Sequence, residues 1–288
     1  MTMQDLGIIA DKSYAVALNE HNQVVGGYWV NGRQHGFLWD NGVVYDLDEF
    51  YPSGINNSGY ASGMYEDHQN KLYWPMFRFP WGELALFSLC QGAASAISDT
   101  GYITGWACDN QAFVYHISWG TGREKYIGST FNRGICSGFG LGVNNYGQVA
   151  MGFIFNDVAY ASVFDGVRSN LLPLTPPSNA WAINTKGLVV GRSVAGGPFI
   201  YNGVEFLNVT VPVSMTNVVL TSINDDGVAI GTSSIGPVIM REGVISDLGQ
   251  LVNQSGVTLN NAYQINNLGQ IAGDALFKGR NKAVRILP

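Results

Sequence analysis

The apolar and polar positions of this chain fall into short strand-length runs divided by turn residues, and one arrangement of them recurs seven times. Its clearest copy is Ala182-Ile183-Asn184-Thr185-Lys186-Gly187-Leu188-Val189-Val190-Gly191. The equivalent Asn (or Ser) positions are 19, 56, 98, 144, 184, 224 and 266, spaced 37 to 46 residues apart, and passing through the termini from 266 back to 19 adds a step of 41. Seven near-equal steps account for all 288 residues, which predicts one domain over 1–288, although length alone would allow two.

The motif describes a β-hairpin. A strand ends in an apolar residue, Asn (Ser98 once) forms an Asx turn, two variable residues follow, and Gly supplies a left-handed conformation before the next strand. In the first copy Asn22 stands at the Gly position, and Asn is the residue that best replaces Gly at positive φ. Each repeat continues with an aromatic-rich third strand, such as His35 to Trp39, Gln111 to Tyr115 and Pro198 to Tyr201. A second turn, such as Asn41-Gly42 or Asn202-Gly203, leads to a fourth strand, such as Val43 to Leu47 or Val244 to Leu248. Four strands in about 41 residues make a propeller blade. The prediction is an all-β, seven-bladed β-propeller of four-stranded antiparallel blades.

The last repeat stops at Val284 to Pro288, after its third strand, while Met3-Gln4-Asp5-Leu6-Gly7 matches the outer strand Ile245 to Gly249. An N-terminal strand over 3–9 therefore completes the seventh blade and closes the ring, which shields its edges. Small residues alternate along each first strand (Ala15 and Ala17, Ala94 and Ala96, Gly140 and Gly142, Ala180 and Ala182), and period two places each pair on one face of a crowded innermost strand.

Composition narrows the function classes. With 46% apolar and 12% charged residues the chain can bury a large core, and its net charge of −6 argues against a nucleic-acid partner. No run is long and apolar enough for a membrane-spanning helix, so no membrane insertion is expected. The first residues lack a leader pattern, which fits a cytoplasmic or a mature chain. Three cysteines without paired spacing favour unlinked thiols. With Ser98 and Gly101 flanking the turn, Cys108 faces Gln91, so a Cys90–Cys108 disulfide needs a one-residue slip, and Cys136 stays odd.

The motif order resembles that of WD40 blades, without their Trp-Asp signature. The repeat Ala-x-Ile-Asn-x-x-Gly-x-Val-Val-Gly, with His35-Gly36-Phe37-Leu38-Trp39, Asn41-Gly42 and Asp46-Leu47, resembles the HAF-type extracellular repeat along the whole chain. That resemblance implies a β-propeller from bacterial-type, often exported repeat proteins, and it implies no activity.

Candidate chemistry lies where copies depart from the repeat. The blade-two loop Tyr65 to Lys71 and the connection Ser129 to Gly138, which carries Arg133, are long and should project from one face, the side where strands two and three join. The position after the second conserved Gly (Gly27, Met64, Trp106, Phe153, Arg192, Thr232, Asp274) varies freely and is expected to ring the central opening there. The leading expectation is a binding module for a carbohydrate or protein surface around blades two to four, using Trp29, Tyr65, Trp106, Phe153 and Arg133, with Tyr28 nearby. Set against it is packing, the commoner role of aromatics. The alternative is an enzyme at the channel mouth, a polysaccharide lyase or hydrolase or a small-molecule cyclase, using His68, Arg192 and Asp274. His35 is read as a structural residue of its strand. No metal-ligand spacing and no cofactor fingerprint is present, so neither a metal nor a cofactor is expected.

Overall fold

The computed structural model describes residues 1–127, 137–252 and 254–288, and it is a closed ring of seven four-stranded antiparallel sheets. Blade one shows the plan. Strands Lys12–Leu18, Gln23–Val30, Arg33–Asp40 and Val43–Asp46 run from the axis to the rim. Blade seven takes three strands from the C-terminus, Val257–Ile265, Ile271–Phe277 and Arg280–Leu287, and its outermost strand, Thr2–Asp5, from the N-terminus. Thr2 pairs with Leu287 and Asp5 with Val284, so closure follows the expected plan with a shorter strand than 3–9.

The motif Asn does more than turn its own hairpin. Asn224 Oδ1 accepts the backbone N–H groups of Asp226 and Val228, the expected Asx geometry. Its amide donates to the carbonyl of Asn266 in the next blade at 3.1 Å. The same inter-blade bond runs from Asn19 to Asn56, Asn56 to Ser98, Asn144 to Asn184, Asn184 to Asn224 and Asn266 to Asn19. Ser98 has no amide, and its step is bridged by Asn145, which accepts from the backbone N–H of Asp99 and from the Thr100 hydroxyl. The hairpin Gly positions have φ of 72 to 93° and Asn22 has 64°, as their left-handed role requires.

Every inner strand carries a β-bulge three residues before the motif Asn (or Ser). The register shifts between Ala15 and Ala17, Pro52 and Gly54, Ala94 and Ala96, Gly140 and Gly142, Ala180 and Ala182, Leu220 and Ser222, and Ala262 and Gln264. The bulge corrects the expectation that the paired small residues share a face. Ala15 packs with Ala272 and Ala283 of blade seven, whereas Ala17 packs with Phe50 and Ile55 of blade two. Each small residue faces a different neighbour, and a Cβ on Gly142 would stand 2.9 Å from Ala182 Cα. Seven apolar clusters fill the seven blade interfaces among the described residues, centred on side chains such as Phe37, Phe113 and Ile230. Each such fully buried side chain contributes about 1.5–3 kcal/mol.

Three local expectations change. Outer strands are short, only Lys125–Tyr126 and Phe206–Leu207 in blades three and five, which limits the edge offered to other chains. The blade-two insertion is a longer hairpin rather than a loop, since Ala61–Asp67 and Leu72–Arg78 stay paired out to Asp67 and Leu72. Cys90 and Cys108 are disulfide-bonded, with Cα atoms 5.1 Å apart, so they are not free thiols. Their strands keep the expected frame, with Gly92 opposite Ala107 and the Cys108 N–H donating to Gln91 O. The slip comes where Cys108, Asp109 and Asn110 leave the ladder in a left-handed turn, with φ of 43, 63 and 62°. Cys136 lies outside the described residues.

Candidate functional site

The bulge determines what lines the channel. An extra residue between two paired positions cannot share their faces, and in each blade it turns towards the axis. Val16, Ser53, Ser95, Leu141, Trp181, Thr221 and Tyr263 are these seven residues, and all of them line a cavity of about 180 Å³ on the axis. Those of blades one to three are small or modest and those of blades four, five and seven are large, so the channel is lopsided.

On the face where strands two and three join, the large side widens into a cavity of about 360 Å³. Leu141, Trp181, Thr221 and Tyr263 form its inner wall, and Thr232, Pro237 and Asn261 its outer one. That volume falls in the range of small-ligand sites, as does the mixture of aromatic and apolar wall with a few hydroxyl and amide groups. Trp181 is 36% and Tyr263 38% exposed, high values for aromatic rings inside a ring of blades.

Behind the wall lies a buried carboxylate. Asp274 is 1% exposed, and four donors converge on it. Asn261 Nδ2 and the Tyr263 hydroxyl donate to Oδ1 at 2.9 and 3.0 Å, and Asn260 and Asn281 Nδ2 donate to Oδ2 at 3.3 and 3.1 Å. A second bulge, found among the described residues only in the blade-seven inner strand, shifts the register between Leu259 and Asn261 and brings both asparagines to Asp274. Burial, reinforced by the Asp274 charge, raises the Tyr263 phenol above its ordinary range, and burial raises that of Tyr14, whose ring lies 6.3 Å away. Tyr14 lies across blade one because position 27 is Gly, where a Cβ would come within 2.9 Å of its ring.

The expected ring of variable residues is therefore displaced from the axis. Of the seven, Thr232 lines the cavity and Asp274 lies one hydrogen bond behind it. Phe153 is 4% exposed and belongs to the core, so it offers no platform. Trp106 meets Phe139 edge-on. Trp29 packs 5.4 Å from Tyr14 with Lys12 Nζ 3.9 Å over its ring, and Tyr28 stacks near His35. Tyr65 stands opposite Trp74 in the blade-two hairpin. Arg133 lies outside the described residues.

The residues expected to act together in an enzyme are not brought together. Arg192 donates to Asn217 Oδ1 between blades five and six, His68 pairs with Glu66 in blade two at 3.2 Å, and Asp274 is enclosed in blade seven. They share no partner among the described residues. Glu66 also accepts from Tyr51 at 3.0 Å, and burial together with that carboxylate raises the Tyr51 phenol. His35 Nδ1 lies 3.2 Å from Asp46 and 3.9 Å from Asp48 at the rim of blade one, the only trio of potential metal ligands this close among the described residues. Both carboxylates there are solvent-exposed and hold His35 and a tight turn, as its structural reading anticipates.

The bulge residues were missed in the sequence, though a signal was present. They are the variable positions between the paired small residues, as in Gly140-Leu141-Gly142 and Ala180-Trp181-Ala182.

No protein-family model and no curated protein matches the chain. Solved structures do share its shape. The β-propeller domain of the Trilobed protease from Pyrococcus furiosus, described as having an open velcro topology, aligns at 10% identity over 96% of this chain and 93% of that one, with a TM-score of 0.65. A catalytically inactive virginiamycin B lyase from Staphylococcus aureus with quinupristin aligns at 8% identity over 100% and 99%, with a TM-score of 0.52. A chain of the mitotic checkpoint complex aligns at 14% identity over 99% and 94%, with a TM-score of 0.54. At these identities the likeness is one of fold.

Proposed function

We propose that this propeller is a carbohydrate-binding module whose ligand seats at the channel mouth against Trp181 and Tyr263. The fold by itself leaves binding and turnover open, since its structural neighbours include a lyase as well as a member of a protein assembly. The second kind of neighbour is consistent with a binding module. The observation that carries the reading is the exposure of two aromatic rings on the wall of a concave cavity that also presents Thr221, Thr232 and Asn261. Sugar rings offer an apolar face to an aromatic and hydroxyls to amides and hydroxyls, which is the chemistry this wall supplies. The separation of Arg192, His68 and Asp274 favours binding over catalysis. The site lies on blades four to seven, beyond the blades two to four expected from sequence. The resemblance to HAF-type extracellular repeats supports an exported binder.

The test is retention on a panel of immobilised glycans, comparing the wild type with Trp181→Ala and with Trp106→Ala as a control away from the cavity. Retention lost only in Trp181→Ala supports the site. Retention insensitive to Trp181→Ala, or absent across the panel, overturns it, and release of new chain ends moves the protein to the enzymes.

A further inference from the structure

Asp274 is a charge-bearing group in the wrong place for a merely structural one. Its four neighbours donate through amide N–H and phenol O–H groups, so both oxygens act as acceptors, as an ionised carboxylate requires. Buried carboxylates are ordinarily paired with a cation, because dipoles alone compensate desolvation incompletely. No Lys, Arg or His pairs with Asp274 among the described residues. The cavity in front of it is equally without cations, for its lining holds no Lys, Arg or His.

What the cavity does hold suits a cation. Trp181 and Tyr263 expose ring surface to it, and aromatic faces attract ammonium groups, most strongly away from bulk water. Tyr263 and Asn261 are the two lining residues bonded to the same oxygen of Asp274, so the negative charge sits one hydrogen bond behind the wall. Asp274 itself is buried, so its field is screened less than that of a carboxylate standing in water. An anionic sugar placed there would face a negative charge with no compensating group, whereas a positively charged one would complete the missing pair.

We propose that the carbohydrate taken at this site is an amino sugar with a free ammonium group, held near Tyr263 by the field of Asp274. This rests on the carbohydrate-binding reading and adds the sign of the ligand's charge. Asp274 acts as a specificity-determining residue by its field across the wall that Tyr263 and Asn261 form, without touching the ligand. Thr221 and Thr232 are left to bond hydroxyls.

The experiment is calorimetric titration with two oligomers of equal length and linkage, a β-1,4-linked glucosamine tetramer and its fully N-acetylated counterpart, at a pH where the free amine is protonated. The wild type is expected to bind the free amine about tenfold more tightly, equivalent to about 1.4 kcal/mol. Asp274→Asn, if folded by circular dichroism, is expected to lose that preference while keeping its affinity for the acetylated oligomer. Tyr263→Phe keeps the carboxylate and its field and is expected to retain the preference even should Asp274→Asn fail to fold; loss of the preference in Tyr263→Phe would place it on the phenol and overturn the role given to Asp274. Equal or tighter binding of the acetylated oligomer by the wild type overturns the proposal and leaves the carbohydrate reading standing. Binding of neither, with no retention on the glycan panel, overturns both.

Discussion

Asn184 donates its side-chain amide to the main-chain carbonyl of Asn224, its counterpart in the next blade, at 2.8 Å. Its Oδ1 accepts the Leu188 N–H of its own hairpin, also at 2.8 Å, so one buried side chain closes a turn and joins two blades. Asn184→Ala removes both bonds and strands a donor and an acceptor. The expected cost is about 2 to 6 kcal/mol, from two unsatisfied groups at about 1 to 3 each. Urea unfolding would check it. Asn184→Asp is the informative companion, since it keeps the acceptor for Leu188 but turns an oxygen towards the Asn224 carbonyl. A loss under about 0.5 kcal/mol in both variants, the scale of ordinary surface substitutions, would show that the belt of asparagines is dispensable.

The tyrosines give the protein an alkaline limit. Burial first, and then the Glu124 hydrogen bond, push the Tyr126 phenol up to about 12 from its ordinary value of 10.0. Burial and Asp46 do the same for Tyr28, also to about 12, and Tyr14, Tyr51, Tyr115 and Tyr263 shift in the same direction. A phenol whose folded value is raised stays protonated while the unfolded chain ionises. The stability it contributes is intact below about pH 10 and falls as pH rises from there through the folded value near 12. Thermal melts in steps from pH 8 to pH 12 should show a steady Tm up to about 10 and a steep fall beyond it. Tyr126→Phe should reduce the steepness. A flat profile to pH 12 would mean that these phenols ionise as freely in the folded ring as in the unfolded chain.

The two roles of Asn184 differ in how far the sequence reveals them. The hairpin role of Asn184 follows from its own neighbours, Ile183 before it and Gly187 after it, because turn chemistry is local. Its bond to Asn224 is a property of the ring, visible only once blades are set side by side. The same division runs through the site. Seven spaced asparagines or their Ser98 equivalent lead to seven blades, and the likeness of Met3–Gly7 to Ile245–Gly249 leads to the closure. Period-two reasoning then fails at Val16 and Trp181, because a bulge inserts a residue that belongs to neither face and sends it to the axis. The residues after the second conserved Gly were therefore assigned to an opening that the bulge residues line. Asp274 stands among the variable positions after the second conserved Gly, but the Asn260 and Asn261 amides that reach it depend on a second bulge that no alternation announces.

The Cys90–Cys108 bond closes a span of 18 residues around the blade-three hairpin, on the side of the ring that carries the cavity. Loop-closure entropy for a span of this size amounts to about 3 kcal/mol. Cys90→Ala/Cys108→Ala should lower unfolding stability by roughly that amount, and dithiothreitol should shift the wild type but leave the double variant unchanged. Because the bond lies in blade three and the cavity wall in blades four to seven, glycan retention should survive reduction below the new melting point. Equal sensitivity of the two proteins to dithiothreitol would show that the bond does not persist in solution.

Closure depends on an N-terminal segment that is not held by its strand alone. Leu6 and Ile8 are buried beside Phe37 and Trp39 of blade one and Ala283 of blade seven, so the segment wedges between the first and last blades. Arg285 adds a clamp, donating to Gln4 Oε1 at 2.8 Å and to Asn22 Oδ1 at 2.7 Å, with its guanidinium 5.1 Å over the Trp39 ring. Leu6→Ala/Ile8→Ala should cost about 4 to 10 kcal/mol, since large-to-small changes at buried sites run about 2 to 5 each. Arg285→Lys should cost less than Arg285→Ala but more than nothing, because an ammonium keeps the charge yet cannot reach Gln4 and Asn22 through one planar fork. Hydrogen exchange separates a local effect from a ring opening. In Leu6→Ala/Ile8→Ala the amides of Arg280–Leu287 and Lys12–Leu18 should lose protection together, while those of blade four keep theirs. Uniform loss across all blades would mean that the ring unfolds as one unit and has no weaker seam at its closure.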